Sequence, residues 1–119
     1  MMQPMVQPLP RVIASSAVGI ELPGRIVLSA ITVLEDRILM HTLQDRDSEP
    51  WTGMYGWTLR DDCGFEYTWL GGGAGGGGAD GLIYATTAWT PAPPSAAKTL
   101  LLTVDTQDGS TTVSISVPT

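Results

Sequence analysis

Hydrophobic and polar positions alternate with a period of two along most of this chain from Arg11 onward. The clearest case is at the end, where Leu100, Leu102 and Val104 interleave with Thr99, Leu101 and Thr103. Beyond them, Val113, Ile115 and Val117 alternate with Thr112, Ser114 and Ser116. Successive side chains of a strand point to opposite faces, so each stretch predicts a strand with one buried face. Gln107-Asp108-Gly109 between them reads as a turn, which makes a C-terminal hairpin. Nearer the start, residues 11–17 form a first apolar run and Pro23-Gly24 signals a turn. Residues 25–34 are rich in Ile, Val and Leu and read as a central strand. Their alternation slips between Ala30 and Ile31, which implies a bulge or burial on both faces. Glu35-Asp36 is a tight connection to a partner strand over residues 37–43.

The middle of the chain is less regular. Residues 44–50 are polar and acidic and read as a loop. Residues 55–59 and 65–69 flank Arg60-Asp61-Asp62-Cys63-Gly64, a hairpin pattern in which Gly64 supplies the positive φ. Residues 71–78 are seven glycines and one alanine. With no side chains to bury, they are expected to be a mobile surface connection whose shortening leaves stability unchanged. Residues 81–89 are strand-like, whereas residues 90–94 hold three prolines and cannot be a central strand. Pro4, Pro8 and Pro10 make residues 1–10 an extended arm. No stretch carries a helical period. About eight short strands separated by turns predict an all-β fold, an antiparallel sandwich over residues 11–119.

Composition narrows the functions open to such a domain. The chain has 119 residues and a formal net charge of −6 at pH 7. Its six cations are scattered singly, which argues against nucleic acid and against an anionic membrane surface. The longest apolar stretch, residues 26–34, is too short to insert in a bilayer. The first ten residues lack the basic and apolar regions of a signal peptide, and Cys63 is the only cysteine, so no intrachain disulfide forms. Both point to a cytoplasmic protein. One Cys and one His, His41, cannot close a zinc site, and no cofactor motif is present. The glycine run lacks the strand–loop–helix setting and the Lys-Ser/Thr of a phosphate loop.

All eight aromatic residues and eleven of the fourteen glycines lie between Trp51 and Trp89. Trp57, Tyr67, Tyr84 and Trp89 are expected to fill the core, one per strand. Trp51 and Trp69, at loop edges, are the candidates for an exposed binding platform, together with Gly72 and Gly75 of the adjoining glycine run. Asp61 and Asp62 with Glu66 read as turn residues rather than an acid–base pair or a calcium site. Asp105 and Asp108 read the same way. Cys63 reads as a small turn residue rather than a nucleophile, so no catalytic residue is assigned.

Leu59-Arg-Asp-Asp-Cys-Gly-Phe-Glu-Tyr67, the glycine run, Trp89-Thr-Pro-Ala-Pro93 and Leu100-Leu-Leu-Thr-Val104 together resemble small bacterial immunoglobulin-like domains of unknown function. Some of these are attached to anti-sigma regulators and lipoproteins. The resemblance covers the second half of the chain and implies an immunoglobulin-like sandwich acting as a sensory or interaction module without catalysis. The expected function is a non-catalytic module that binds a protein partner. The alternatives are a structural subunit of a virion or secretion assembly, which would be a homo-oligomer, and a carbohydrate-binding module.

Overall fold

The computed structural model describes residues 8–45, 56–76, 79–106 and 109–119. It is all-β, with no helix among the described residues. The strands are β1 (Val12–Leu22), β2 (Ile26–Leu34), β3 (Ile38–Asp45), β4 (Trp57–Asp61), β5 (Thr68–Gly76), β6 (Leu82–Thr90), β7 (Thr99–Thr106) and β8 (Gly109–Ser116). They form two antiparallel sheets, a five-stranded one in the order β1-β2-β3-β6-β5 and a three-stranded one in the order β4-β7-β8.

The period-two pattern decides which face each strand buries. In β3, Ile38, Met40 and Thr42 point inward; in β6, Ala85, Thr87 and Trp89 do. From the smaller sheet come Leu59, Leu100, Leu102 and Val104, with Ile115 buried and Val113 half-buried. These join Leu28, Ile31 and Val33 of β2 in one apolar cluster between the sheets. The slip in β2 is a real irregularity, since its register with β3 shifts between Leu28 and Ala30. The extra residue lets Ile26 and Leu28 on one side of it, and Ile31 and Val33 on the other, all face the core.

Four expectations are corrected. The first strand runs on to Leu22, because Gly19, at φ 75°, sits in a register shift between Ala17 and Ile20 instead of ending the strand. The hairpin expected around residues 60–64 is only one bridge long, Arg60 to Glu66. Beyond it the arms part. Trp57 and Leu59 pair with Val104 and Leu102 of β7, while Thr68 and Trp69 pair with Thr90 and Trp89 of β6 in the other sheet. The turn chemistry is as expected, with Gly64 at φ 87°, but burial of Trp57 and Leu59 decides the partner.

The third correction concerns the glycine run. Gly71 to Gly76 form the body of β5, laddered to β6 from Gly71↔Ala88 to Gly76↔Ile83. Backbone pairing needs no side chain, so a residue type poor in strand propensity is held by a neighbour that is rich in it. Gly77 and Gly78 lie outside the described residues. The fourth is Tyr84, which faces outward and is 49% exposed, because β6 turns Ala85, Thr87 and Trp89 to the core. Trp57, Tyr67 and Trp89 are buried as expected. The arm is described only from Pro8, and the loop expected at 44–50 only at Gln44 and Asp45, which end β3. The turn residues Gln107 and Asp108 are outside the described set. No helix among the described residues is long and apolar enough to cross a membrane.

Leu102 is fully buried on β7 opposite Val113 and Leu59. Leu102→Ala is expected to cost about 2–5 kcal/mol, the range for removing a packed Leu side chain. Urea unfolding followed by tryptophan fluorescence measures it.

Candidate functional site

Among the described residues, chemistry-bearing groups gather at the turn after β4 and in a row across the outer face of the larger sheet that ends at β5. At the turn, Asp61 is 2% exposed and its carboxylate is fully engaged. Oδ1 accepts the amides of Cys63 at 2.9 Å and Phe65 at 3.0 Å, and Oδ2 accepts the Tyr67 hydroxyl at 2.7 Å. Desolvation raises the Asp61 pKa, but the Tyr67 hydroxyl and the amides of Phe65, Cys63 and Gly64 more than offset it, so the net shift is downward. The Tyr67 hydroxyl is pushed up by burial and by its bond to Asp61. Neighbouring Asp62 accepts the amide of Lys98 at 3.1 Å, which ties the turn to the segment entering β7.

Asp61, Asp62 and Cys63 bring their ligand atoms within 4.8 Å of one another. The Asp61 oxygens already serve the turn, so the group is a structural knot. Desolvation, then the charges of Asp62 and Asp61, hold the Cys63 thiol above its ordinary value, the opposite of an activated nucleophile. His41 is engaged elsewhere. Its Nε2 lies 3.0 Å from Thr32 Oγ1 and its Nδ1 lies 3.3 Å from Thr86 Oγ1. Ser15 Oγ extends the row, 3.1 Å from Thr32 Oγ1. The row crosses β1, β2, β3 and β6 on the outer face of the larger sheet, and burial pushes the His41 pKa down.

That row ends at β5, where Thr86 stands opposite Gly73. Residues opposite one another in an antiparallel pair share a face. Gly73 and Gly75 therefore lie on the outer face beside Thr86 and Tyr84, and Gly72 and Ala74 on the inner face beside Thr87 and Ala85. The glycines differ in why they are glycines. A Cβ on Gly72 would lie 2.7 Å from the Thr86 carbonyl oxygen, and one on Gly76 2.6 Å from that of Leu82. Gly71 and Gly76 also adopt φ of 146° and 104°. Gly73 and Gly75 carry neither constraint, since a Cβ on either would meet nothing within 4 Å. Among the described residues, nothing requires them to be bare.

Of the residues expected to bind, Trp69 is 41% exposed, in register with Trp89 at the start of β5. Gly75 is on the open face, Gly72 faces the interior, and Trp51 lies outside the described residues. Sequence reasoning missed Gly73, Leu70 and Tyr84, all three of them exposed. Reading the glycine run as a strand, with its own parity, is the signal that finds them. Asp80 holds the Tyr84 ring in place, accepting its hydroxyl at 2.6 Å.

No protein-family model matches the chain, and no curated protein matches it. One solved structure similar to it is a conserved domain protein from Bacillus anthracis, with a TM-score of 0.51 and 14% identity. The match covers 92% of this chain and 48% of that one, so this chain spans about half the length of its structural neighbour. At that identity the likeness is one of fold.

The two sets of glycines should separate on substitution. Gly73→Ala and Gly75→Ala are expected to leave stability unchanged or raise it by about 0.4–1 kcal/mol through the unfolded chain. Gly72→Ala and Gly76→Ala should each lower it by more than that. Thermal melts of the four variants read the contrast.

The Asp61 knot has a pH signature. Its folded pKa lies below the unfolded value, so its stabilisation is complete above the ordinary carboxylate range and is lost as pH falls through the folded pKa. Tyr67→Phe removes a hydrogen bond to a charged group and is expected to cost about 1.5–3 kcal/mol at neutral pH. The difference between wild type and Tyr67→Phe should shrink in acid; a difference constant with pH would contradict the assignment.

Proposed function

We propose that this chain is an immunoglobulin-like, non-catalytic module that binds a protein partner through the edge of β5, which no other described strand covers. The strand order supports the fold part of this reading. With β1 set aside, β2-β3-β6-β5 facing β4-β7-β8 matches the A-B-E-D and C-F-G sheets of the immunoglobulin constant type. Trp57 is then a buried tryptophan on strand C, as such domains carry. The observation that carries the binding part is the pair Gly73 and Gly75, bare on an edge strand with nothing among the described residues within 4 Å of a Cβ at either. An edge offers a row of backbone donors and acceptors, and glycines let another backbone approach without obstruction. The absence of catalysis is supported by the state of the candidate groups: a raised Cys63 thiol, and a His41 whose two nitrogens bond threonine hydroxyls.

One observation favours the structural-subunit reading: Leu9, Val12 and Ile13 are all exposed where the chain enters β1. A symmetric oligomer in sedimentation would support it, and a monomer would support the module.

Lys side chains at a sheet edge oppose strand addition. The double variant Gly73→Lys, Gly75→Lys is expected to keep the melting temperature, because both positions have room. It should lose the partner that wild type captures from its native host. Equal capture by the two proteins would overturn the edge reading.

A further inference from the structure

Resting on that reading, we infer that the strand received by β5 is basic and carries large apolar or aromatic side chains at alternate positions. The first argument is shape. A strand added beside β5 would run about 4.7–4.9 Å from it. Its outer-face side chains would stand next to Gly73 and Gly75, two residues apart, over a surface with no Cβ. The next side chains inward are Thr86 and the half-exposed ring of Tyr84, one strand further on. A small side chain cannot bridge that gap, whereas an aromatic ring laid over a cross-strand glycine can. The period of two places such residues at i and i+2 of the incoming strand.

The second argument is charge. Between Arg60 and Lys98 the sequence contains no Lys or Arg, and its charges there are Asp61, Asp62, Glu66 and Asp80. Glu66 is exposed two residues before β5 but stands in a β-bridge with Arg60, whereas Asp80 is fixed beside Tyr84 at the far end with no Lys or Arg near it in sequence. The far end of the edge is therefore negative, on a chain of net charge −6. Complementary charge steers encounter and disfavours like-charged partners. A second copy of this chain is the wrong occupant on both counts. It brings the same negative charge, and its β5 would set glycine against glycine, burying little apolar area for an interface that needs roughly 1,200–2,000 Å².

The test is selection of random twelve-residue peptides displayed on the wild-type full chain, with counter-selection on Gly73→Lys, Gly75→Lys. Edge-dependent peptides are expected to be net basic, free of interior proline, and to carry aromatic or large aliphatic residues at i and i+2. In a synthesised winner, replacing that pair by Ala, or its Lys and Arg by Glu, should weaken binding at least about tenfold, as loss of a central anchor does. Amides of residues 70–76 should exchange more slowly in its presence. Edge-dependent winners that are acidic, or that lack bulky alternation, would overturn this inference and leave β5 as the docking edge. If no peptide binds in an edge-dependent way, both readings fall. A dimer with protected β5 amides would then identify a second copy as the occupant.

Discussion

A three-stranded sheet cannot cover a five-stranded one, and most of the molecule's character follows from that mismatch. The core forms where the sheets overlap, mainly from β2, β3 and β6 on one side and β4, β7 and β8 on the other, with Leu22 at the end of β1 joining it. The flanking strands of the larger sheet lie at the margin. Accordingly β1 alternates exposed with half-buried residues until it reaches buried Leu22, and β5 is exposed nearly throughout. A margin strand gains little from burial and is held mainly by its ladder to one neighbour. β5 takes this to an extreme, because most of it has no side chain to bury on either face.

The crossing between the sheets is controlled by the Asp61 turn. The chain leaves the smaller sheet at Asp61 and joins the larger one at Thr68. A buried carboxylate at such a point would be costly if its oxygens lacked donors. Here two amides and a hydroxyl converge on it, and the hydroxyl belongs to Tyr67, the last residue before β5. The same bonds that stabilise the charge therefore set where β5 starts and which way it leaves.

Much of this was legible in the chain because a strand announces itself by parity. The residues Leu100, Leu102 and Val104, and the slip within β2, needed no partner to be read. What could not be read was pairing. β4 and β5 lie on either side of a good turn, yet they belong to different sheets, since the burial of Trp57 against β7 is a long-range fact. The glycine run fails for a related reason: its propensity is that of a loop, and only its neighbour makes it a strand. Tyr84 was misjudged by one position of parity, and the engagement of Asp61 by Tyr67 leaves no trace in composition.

The row from Ser15 through Thr32 and His41 to Thr86 bears on how the broad outer face would behave against another surface. Every member is a donor, an acceptor or both, and burial pushes the imidazole pKa down. Water removed from above these groups takes few hydrogen bonds with it, because the groups already bond one another across the strands. The row is thus polar yet inexpensive to dry, and a partner crossing from the β5 edge onto it would meet hydroxyls and an imidazole that already bond one another.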